Sequence, residues 1–290
     1  MSSGVRYVRR RPRPAGPRSH PRRGPDFGRH VLAVESAGTP SALVRTERRG
    51  HVLVIRMCRA HKRNAVDRAL ADALDEAFNT LDDDPELRAG VLTGSDGVFS
   101  AGSDLTADGD YVTERGGAYG LIRRRRSTPL VAAVEGPALG GGLELVLACD
   151  LVVASATAVF GLPEVRRGLV PACAGLFRGP RALPVNLARE LALTGDPFDA
   201  DRAYEAGLVN RLTAEGAALD AAVALAARVA RNAPVAVRAS LVAMDRWLTA
   251  EDPLGWRATA EAVATVEASD DLAEGVAAFL EKRAPVWKGR

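Results

Sequence analysis

The sequence predicts an α/β fold in which a unit of two strands and a helix repeats, followed by a helical C-terminal region. Short apolar runs rich in β-branched residues alternate with segments of helical period as far as Pro184. Beyond Pro184 nearly every segment has a helical pattern, and only Leu208–Leu212 is strand-like. Such a run cannot all fold onto one small sheet, so we expect the C-terminal helices to bury themselves against partners.

Residues 42–105, the first part of the predicted domain, supply a hairpin, a helix and two strands. Ala42–Thr46 and His51–Met57 are β-rich and flank an Arg-Arg-Gly turn. Asp67–Leu81 carries its apolar residues on one helical face and is stopped by an Asp-Asp-Asp-Pro sequence. Val91–Thr93 is a predicted strand. We expect Val98–Leu105 to be a strand that runs into a small-residue turn with bare backbone N–H groups.

The segment that follows is polar to about Glu114 and is predicted to lead into a helix that ends at Arg123–Arg126. We expect these arginines to form a solvated helix end, where their charge suits the helix dipole. Leu151–Val153 and Val159–Gly161 are predicted short strands. The helices predicted beyond Pro184 are Leu187–Leu193, Ala200–Ala206, Ala217–Ala230, Pro234–Trp247, Pro253–Ala268 and Asp270–Lys282.

Composition limits the possible classes of protein. With 290 residues, 47% of them hydrophobic, the chain can bury a large core in one domain or one and a half. Its three cysteines show no C-x-x-C spacing, which favours a reducing, cytoplasmic location over a disulfide framework. The four histidines have no metal-ligand spacing. No apolar segment approaches membrane-spanning length, and the N-terminus lacks a signal-peptide core.

Residues 1–40 are rich in Arg, Pro and Gly, and residues 1–30 contain a single acid, Asp26. They show no hydrophobic period, which is typical of a disordered extension. Such a tail can bind nucleic acid or an anionic surface through its charge. No aromatic residues are interleaved with the arginines in a recognition motif, so we expect a solvated extension and no nucleic-acid partner.

Val131–Asp150 is predicted to form a strand, a turn, a glycine loop and a helix. Gly140, Gly141 and Gly142 leave backbone N–H groups uncovered, and the helix that follows points its positive dipole end at the loop. Glu144 lies in an otherwise apolar turn, where a carboxylate needs a function or a partner. The alternative is a buried packing turn in which the glutamate finds a hydrogen bond. A phosphate loop is disfavoured, because the Gly-Lys-Ser/Thr ending is lacking and Leu145 stands where a G-x-G-x-x-G fingerprint from Gly140 needs its third glycine.

A second carboxylate and a second loop complete a chemical set. Glu164 lies at a strand-to-turn junction, and Ala101–Ser103 is another turn of small residues. Backbone amides from two separate loops can form an oxyanion hole, and two carboxylates can act as acid and base. The set indicates a reaction that passes through an enolate.

The motifs in this chain resemble those of the crotonase superfamily, also called the enoyl-CoA hydratase/isomerase family. The resemblance covers residues 42–290 in order, and only the arginine-rich tail falls outside it. The motifs are FSAGSDL at 99–105, GPALGGGLELVLACD at 136–150, FGLPEVRRGLVP at 160–171, LTGDPFDADRAYEAGLVN at 193–210 and AFLEKRAPVWKG at 278–289.

The resemblance implies a spiral of ββα repeats followed by a C-terminal helical trimerisation region. It divides the chain into a disordered extension at 1–40, a spiral core with the active site at 41–205 and a helical oligomerisation region at 206–290. It further implies a homo-oligomer, either a trimer or a dimer of trimers. The implied substrate is an acyl-CoA thioester, and no cofactor is expected because CoA is part of the substrate.

The resemblance also implies roles for particular residues. Ser103 and Gly141 match the positions whose N–H groups hold the thioester oxygen, and Glu144 and Glu164 match the two catalytic glutamates of the hydratases. For Lys62 and Arg63, which lie between a predicted strand and a predicted helix, the alternative interpretation is a charged turn. The implied substrate-binding residues are Lys62, Arg63, Ala65, Ala101, Asp104, Leu105, Gly140 and Ala172.

Departures from the family pattern leave alternatives open. Ala172 replaces a glycine that helps to place water, and Leu162 replaces a frequent Gln. Both glutamates favour hydration or dehydration of an enoyl-CoA, with Glu164 as acid and Glu144 as base, although the sequence does not order them. The alternatives are double-bond isomerisation, carnitinyl-CoA-type dehydration, decarboxylation, or a non-catalytic homologue that binds RNA or a partner. We expect Cys173 to be a packing residue.

Overall fold

The computed structural model describes residues 43–107 and 109–290, and the extension predicted for residues 1–40 lies outside this range. The strands are β1 Val44–Arg49, β2 Val52–Met57, β3 Ala89–Thr93, β4 Val112–Thr113, β5 Gly117–Ala118, β6 Leu130–Val134, β7 Pro137–Leu139, β8 Leu151–Ser155, β9 Val159–Gly161, β10 Phe198–Asp199 and β11 Arg211–Thr213. The α-helices are α1 Arg68–Asp83, α2 Gly141–Leu147, α3 Gly175–Ala182, α4 Val185–Thr194, α5 Ala200–Glu205, α6 Ala218–Ala230, α7 Pro234–Leu248, α8 Asp252–Glu267 and α9 Asp270–Glu281.

The larger sheet has six strands in the order β1-β2-β3-β6-β8-β11. The predicted hairpin pairs β1 with β2 in antiparallel fashion, and every later neighbour in this sheet pairs in parallel. Strands β3 and β6 are buried along their whole length, with the sequences AGVLT and LVAAV. Continuous apolar strands of this kind are typical of a parallel sheet that is covered on both faces.

A smaller sheet contains β10, β9 and β7 in that order, and its strands alternate along the chain with strands of the larger sheet. In each unit the chain passes through a strand of the large sheet, then a strand of the small sheet, then a helix. The two full units are β6-β7-α2 and β8-β9-α3. The predicted α/β class with repeated ββα units is confirmed.

Two helices show how the sequence covers the large sheet. The Asp67 carboxylate accepts a hydrogen bond from the Leu70 N–H at 2.9 Å and caps α1, whose buried face packs into the main core. On α6, alanines recur every four residues and pack with the valines of the central strands. Small side chains at this spacing allow the helix to approach the sheet closely. The buried alanines of α6 are Ala218, Ala222, Ala226 and Ala230.

The strand predicted at Val98–Leu105 is wrong. The described backbone there makes only isolated bridges, among them Ser100 with Ala138 and Ser103 with Val66. Gly102 at a φ of 85° turns the chain out of the extended conformation. The N–H groups consequently bond to several different segments instead of one neighbouring strand.

The helix predicted to end at Arg123–Arg126 is also wrong. A short hairpin of β4 and β5 and a series of turns occupy this segment, because Gly116 and Gly120 approach so closely that a Cβ on Gly116 would lie 1.9 Å from the Gly120 carbonyl oxygen. Nor is the Arg124 side chain solvated: it is 2% exposed and forms ion pairs with Asp75 and Asp82 on α1. These ion pairs fasten the hairpin segment to the core.

The C-terminal segment divides between the sheet layer and an outer helical layer. Strand β11 pairs with β8, and α6 packs against the large sheet, so residues 211–230 belong to the sheet layer. Helices α7 and α8 carry large apolar side chains that are exposed in the single chain. No helix within the described ranges is long and apolar enough to cross a membrane. The exposed apolar residues of α7 and α8 include Val235, Met244, Trp247, Leu248 and Leu254.

Candidate active site

Two glutamates lie against the glycine loop that precedes α2. Glu144 stands in the first turn of α2 and is 2% exposed. Glu164 lies on a short 3-10 turn, Pro163–Arg167, that follows β9. A Cβ on Gly140 would lie 3.1 Å from Oε1 of Glu164, and Gly140 has a φ of 57°. Glycine is therefore required where the Glu164 carboxylate meets the loop.

The Glu144 carboxylate is held by the turn that opens α3. Its Oε1 accepts hydrogen bonds from the N–H groups of Cys173, at 2.7 Å, and Gly175, at 2.8 Å. Between these donors, Ala174 adopts the left-handed conformation with a φ of 80°, which turns both N–H groups toward one oxygen. A Cβ on Gly175 would lie 2.9 Å from that oxygen.

The Glu164 carboxylate has a different environment. Its Oε2 is buried and has no hydrogen-bond partner among the described residues. A buried carboxylate oxygen without a donor is costly when ionised, so this environment favours the protonated acid. A hydrogen bond from the backbone N–H of Glu164 itself and, to a smaller extent, the positive charge of Arg167 partly oppose the effect, because both lower the pKa of Glu164.

Burial raises the pKa of both glutamates above the ordinary value. For Glu144 the loss of solvent is the largest cause and the charge of Glu164 is the second, while the two N–H donors act in the opposite direction. For Glu164 the loss of solvent is again the largest cause. Carboxylates that repel each other in a desolvated site titrate as a pair, and the pair retains a proton at a higher pH than an exposed glutamate.

This retained proton predicts how stability depends on pH. The folded chain keeps a proton that the unfolded chain releases near pH 4.5, so the pair stabilises the fold most at low pH and loses that contribution as pH rises through the raised pKa values. Between about pH 5 and about pH 8, the melting temperature of the wild type should therefore fall more steeply than that of the Glu144→Gln/Glu164→Gln double variant. Parallel curves in thermal denaturation would contradict the assignment.

Two backbone amides face the same region from separate loops. Within the described ranges, neither the Ser103 N–H nor the Gly141 N–H donates a hydrogen bond to a protein acceptor. Gly102 lies where the loops touch, because a Cβ there would lie 2.7 Å from the Gly141 nitrogen and 2.9 Å from the Leu139 carbonyl oxygen. Free N–H groups brought together in this way suit an oxygen that gains negative charge during a reaction.

Asn64 organises the first loop and was missed by sequence reasoning. It is fully buried, and its side-chain amide donates to the carbonyl oxygens of Ser95, at 3.3 Å, and Val98, at 2.8 Å. Its side-chain oxygen accepts from the Arg59 N–H at 2.9 Å, and its own carbonyl accepts from the Ser100 hydroxyl. The available signal was an Asn in a turn, where a left-handed conformation is tolerated; its φ is 52°.

The predicted substrate-binding residues Lys62 and Arg63 lie on an exposed loop at the edge of the site. The side chain of Lys62 is 41% exposed, and its ammonium donates to the Thr106 hydroxyl at 2.9 Å; Arg63 is exposed with a φ of 52°. Asp104 is already engaged by Arg59 at 2.8 Å. Burial raises the pKa of Asp104, but hydrogen bonds from Thr106 and Arg59 outweigh it and lower that pKa to about 2.

Three other predicted substrate-binding residues surround this edge. Ala65 is buried, and its carbonyl oxygen accepts from Arg59 at 2.9 Å. Ala101 is exposed, and its N–H donates to the Arg63 carbonyl at 3.0 Å. Leu105 is half-buried. The predicted substrate-binding residues therefore lie together at one edge of the site. There Asp104 pairs with Arg59, and the side chains of Lys62 and Arg63 are exposed.

The departures noted in the sequence have structural explanations. Ala172 is not among the residues at positive φ, so an alanine fits there without backbone strain. Leu162 is 2% exposed and packs in the main core. Cys173 is buried, its N–H holds Glu144, and burial raises the pKa of its thiol well above the ordinary value. An inert thiol of this kind suits the expected packing role.

Two tyrosines also line the site and were not predicted. The Tyr119 hydroxyl lies 2.7 Å from the Ser103 hydroxyl oxygen, which also donates to the Tyr111 hydroxyl at 3.2 Å. The two rings stack with centroids 4.8 Å apart. Both tyrosines lie in the segment that was predicted to be polar and helical, where no periodic pattern marked them as part of a site.

Comparison with known proteins identifies the family. The model of the enoyl-CoA hydratase/isomerase family matches residues 47–290. The chain belongs to the enoyl-CoA hydratase/isomerase family. This conclusion confirms the resemblance drawn from the motifs, and it agrees with two amide-bearing loops that stand beside a pair of buried glutamates.

Individual members of the family resemble the chain over almost their whole length. The enoyl-CoA hydratase EchA19 of Mycobacterium tuberculosis is 38% identical over 271 residues, which are 90% of this chain and 100% of that protein. The carnitinyl-CoA dehydratase of Salmonella typhi is 40% identical over 258 residues, 84% of this chain and 97% of that protein. The crystal structure of a carnitinyl-CoA hydratase from Mycobacterium avium superposes with a TM-score of 0.81 at 41% identity and covers 86% of this chain and 100% of that one.

Proposed function

We propose that this enzyme adds water to the C2=C3 bond of an enoyl-CoA thioester, or removes it from the 3-hydroxyacyl-CoA. The observation that carries the proposal is the pair of glutamates, Glu144 and Glu164, whose carboxyl groups are buried at one glycine loop beside two backbone N–H groups that donate to no acceptor in the described part of the chain. The names of the similar proteins, which are enoyl-CoA hydratases and carnitinyl-CoA dehydratases, support the same class of reaction. No separate cofactor is needed, because CoA is part of the substrate.

The chemistry follows from the placement of these groups. Hydrogen bonds from the Ser103 and Gly141 N–H groups to the thioester oxygen make C3 electrophilic. As the water oxygen bonds to C3, one carboxylate takes a water proton and the π electrons move toward the thioester oxygen. The other carboxyl group then gives its proton to C2, so that one water molecule has been added in total. Oxyanion donors in other enzymes each contribute about 3 kcal/mol to such a step.

The surroundings of the two glutamates support an order for their roles. Two N–H groups donate to Oε1 of Glu144, which favours the ionised base that takes the water proton. The buried Oε2 of Glu164 lacks a donor among the described residues, which favours the neutral acid that protonates C2. On these hydrogen bonds we assign Glu144 as the base and Glu164 as the acid in the hydration direction. Burial acts the other way, because it raises the pKa of Glu144 to about 8 and that of Glu164 to about 7, so the assignment requires the proton of the pair to lie on Glu164 when the substrate is bound.

The proposal is tested by incubating the purified protein with crotonyl-CoA, a 3-enoyl-CoA and a 3-hydroxyacyl-CoA and by separating the products. We expect crotonyl-CoA and 3-hydroxybutyryl-CoA to interconvert. A protein that only moves the double bond of the 3-enoyl-CoA, or that changes none of the three thioesters, would contradict the proposal in favour of an isomerase or a binding protein.

We also propose a homo-oligomer, a trimer or a dimer of trimers, that covers the exposed apolar side chains of α7 and α8. Val235 is 80% exposed and Trp247 is 79% exposed in the single chain. Light scattering of the purified protein tests this, because a monomeric mass would exclude it. The cytoplasmic location stays a prediction from the cysteine pattern.

A further inference from the structure

Tyr119 combines two properties that rarely occur together. It is 1% exposed, and its φ of 57° places a bulky aromatic residue in the left-handed region. A bulky side chain at positive φ is a genuine outlier, and such strain persists only where the surroundings fix the residue. The strained backbone thus belongs to a residue whose side chain borders the candidate active site.

The contacts that hold Tyr119 come from both amide-bearing loops. Its hydroxyl is 2.7 Å from the hydroxyl of Ser103 in the first loop. In the second loop, a Cβ on Gly141 would lie 2.2 Å from the Tyr119 hydroxyl and 2.7 Å from the ring carbon that bears it. The phenol therefore occupies the space directly beside the two residues whose N–H groups form the proposed oxyanion hole.

Cys173 and Tyr111 also contact Tyr119. The Tyr119 side chain interacts with the Cys173 thiol, and the N–H of Cys173 donates to Glu144. The Tyr111 ring stacks on the ring of Tyr119 with centroids 4.8 Å apart. Tyr119, Cys173 and Glu144 together form a closed, buried end of the site, and each is less than 5% exposed.

The direction of the bound acyl group follows from the contrast between this buried end and the exposed edge. Lys62, Arg63 and Ala101 lie at the exposed edge, where the large, charged CoA moiety has room. If CoA lies at that edge, with the thioester oxygen on the two N–H groups and C2 and C3 between the glutamates, the buried end that Tyr119 closes is the direction left for the acyl carbons beyond C3.

We propose that Tyr119 is the specificity-determining residue of this enzyme: its ring closes the inner end of the acyl site and restricts the substrate to short, crotonyl-sized acyl groups. This inference rests on the proposed function, since it concerns the acyl group of the same thioester. Removing the ring opens space for a longer chain, and each methylene accommodated in an apolar pocket changes the specificity ratio by about 10-fold or more.

The test compares kcat/KM for crotonyl-CoA and for 2-decenoyl-CoA in the wild type and in Tyr119→Gly, a residue that accepts the positive φ. We expect the ratio of decenoyl to crotonyl activity to rise by about 10-fold or more in Tyr119→Gly. Tyr119→Phe keeps the ring and should keep the wild-type ratio. Tyr204→Ala, which removes a 51% exposed tyrosine on α5, is the matched control and should also keep it.

Two additional measurements make the outcome unambiguous. Thermal denaturation shows whether Tyr119→Gly is folded; if it is not, Tyr119→Asn takes its place, because Asn also tolerates positive φ. Equilibrium binding of butyryl-CoA and decanoyl-CoA reports the pocket without any turnover, so the inference stays testable if the reaction is not hydration. An unchanged decanoyl-to-butyryl affinity ratio in the folded variant, or an equal shift in Tyr119→Phe, would overturn the role of the ring.

Discussion

Glu144→Gln and Glu164→Gln are each expected to lower kcat for hydration of crotonyl-CoA by roughly 100- to 10,000-fold. Each amide keeps the size of the side chain but can neither take a proton from water nor deliver one to C2. Because the substrate is held mainly by the amides and the CoA moiety, KM should change little. Steady-state kinetics on the purified variants provide the measurement.

A matched control and a fold measurement accompany these variants. Glu205→Gln makes the same chemical change at an exposed position on α5 and should leave kcat unchanged. The catalytic variants should melt at least as high as the wild type near neutral pH, since each removes a carboxyl group that burial disfavours when ionised. Wild-type turnover in either catalytic variant would remove that glutamate from the mechanism.

Gly102→Ala is expected to reduce kcat by about 100- to 1,000-fold, the loss seen when one oxyanion-hole donor is removed. The added Cβ would lie 2.7 Å from the Gly141 nitrogen, so the two amide-bearing loops must separate or rotate. The predicted cause is loss of the geometry that directs two N–H groups at one oxygen. Steady-state kinetics with crotonyl-CoA measure the effect.

Gly207→Ala separates this effect from backbone strain. Gly207 has the same φ of 85° as Gly102, but nothing lies within 4 Å of its added Cβ. Both substitutions therefore cost about 1–2 kcal/mol for an alanine in the left-handed region, and only Gly102→Ala disturbs the loops. Equal losses of activity in the two variants would show that strain, and not the contact with Gly141, is responsible.

Elements with local signals could be predicted from the sequence. Helix α1 has apolar residues at helical spacing and an Asp-Asp-Asp-Pro stop, and the structure buries that apolar face and ends the helix at Asp83. Glu144 stands in the first turn of α2, where the apolar pattern makes a carboxylate costly, and Glu164 stands at the turn after β9, so the sequence singles out both glutamates. Their proximity at Gly140 depends on the ββα repeat, which the alternation of strands and helices indicated.

Features that depend on distant contacts could not be predicted. The segment before β6 has arginines at its end, as a solvated helix would. Arg124 is nevertheless buried, because its partners Asp75 and Asp82 lie on a helix 49 and 42 residues earlier in the sequence. Asn64 finds its partners at Ser95 and Val98, which are brought close only by the tertiary fold. Tyr119 reaches the site through a left-handed backbone that favours glycine, so no propensity or period pointed to it.

The central claim, that paired glutamates direct water to C3 of an enoyl-CoA held by two backbone amides, is tested most directly with isotopically labelled water. Crotonyl-CoA is incubated with the protein in water enriched in heavy oxygen, and the thioester products are analysed by mass spectrometry. We predict 3-hydroxybutyryl-CoA with one heavy oxygen, on C3, formed by the wild type and strongly reduced in Glu144→Gln. A product without oxygen from water, or equal labelling by Glu144→Gln, would contradict the account.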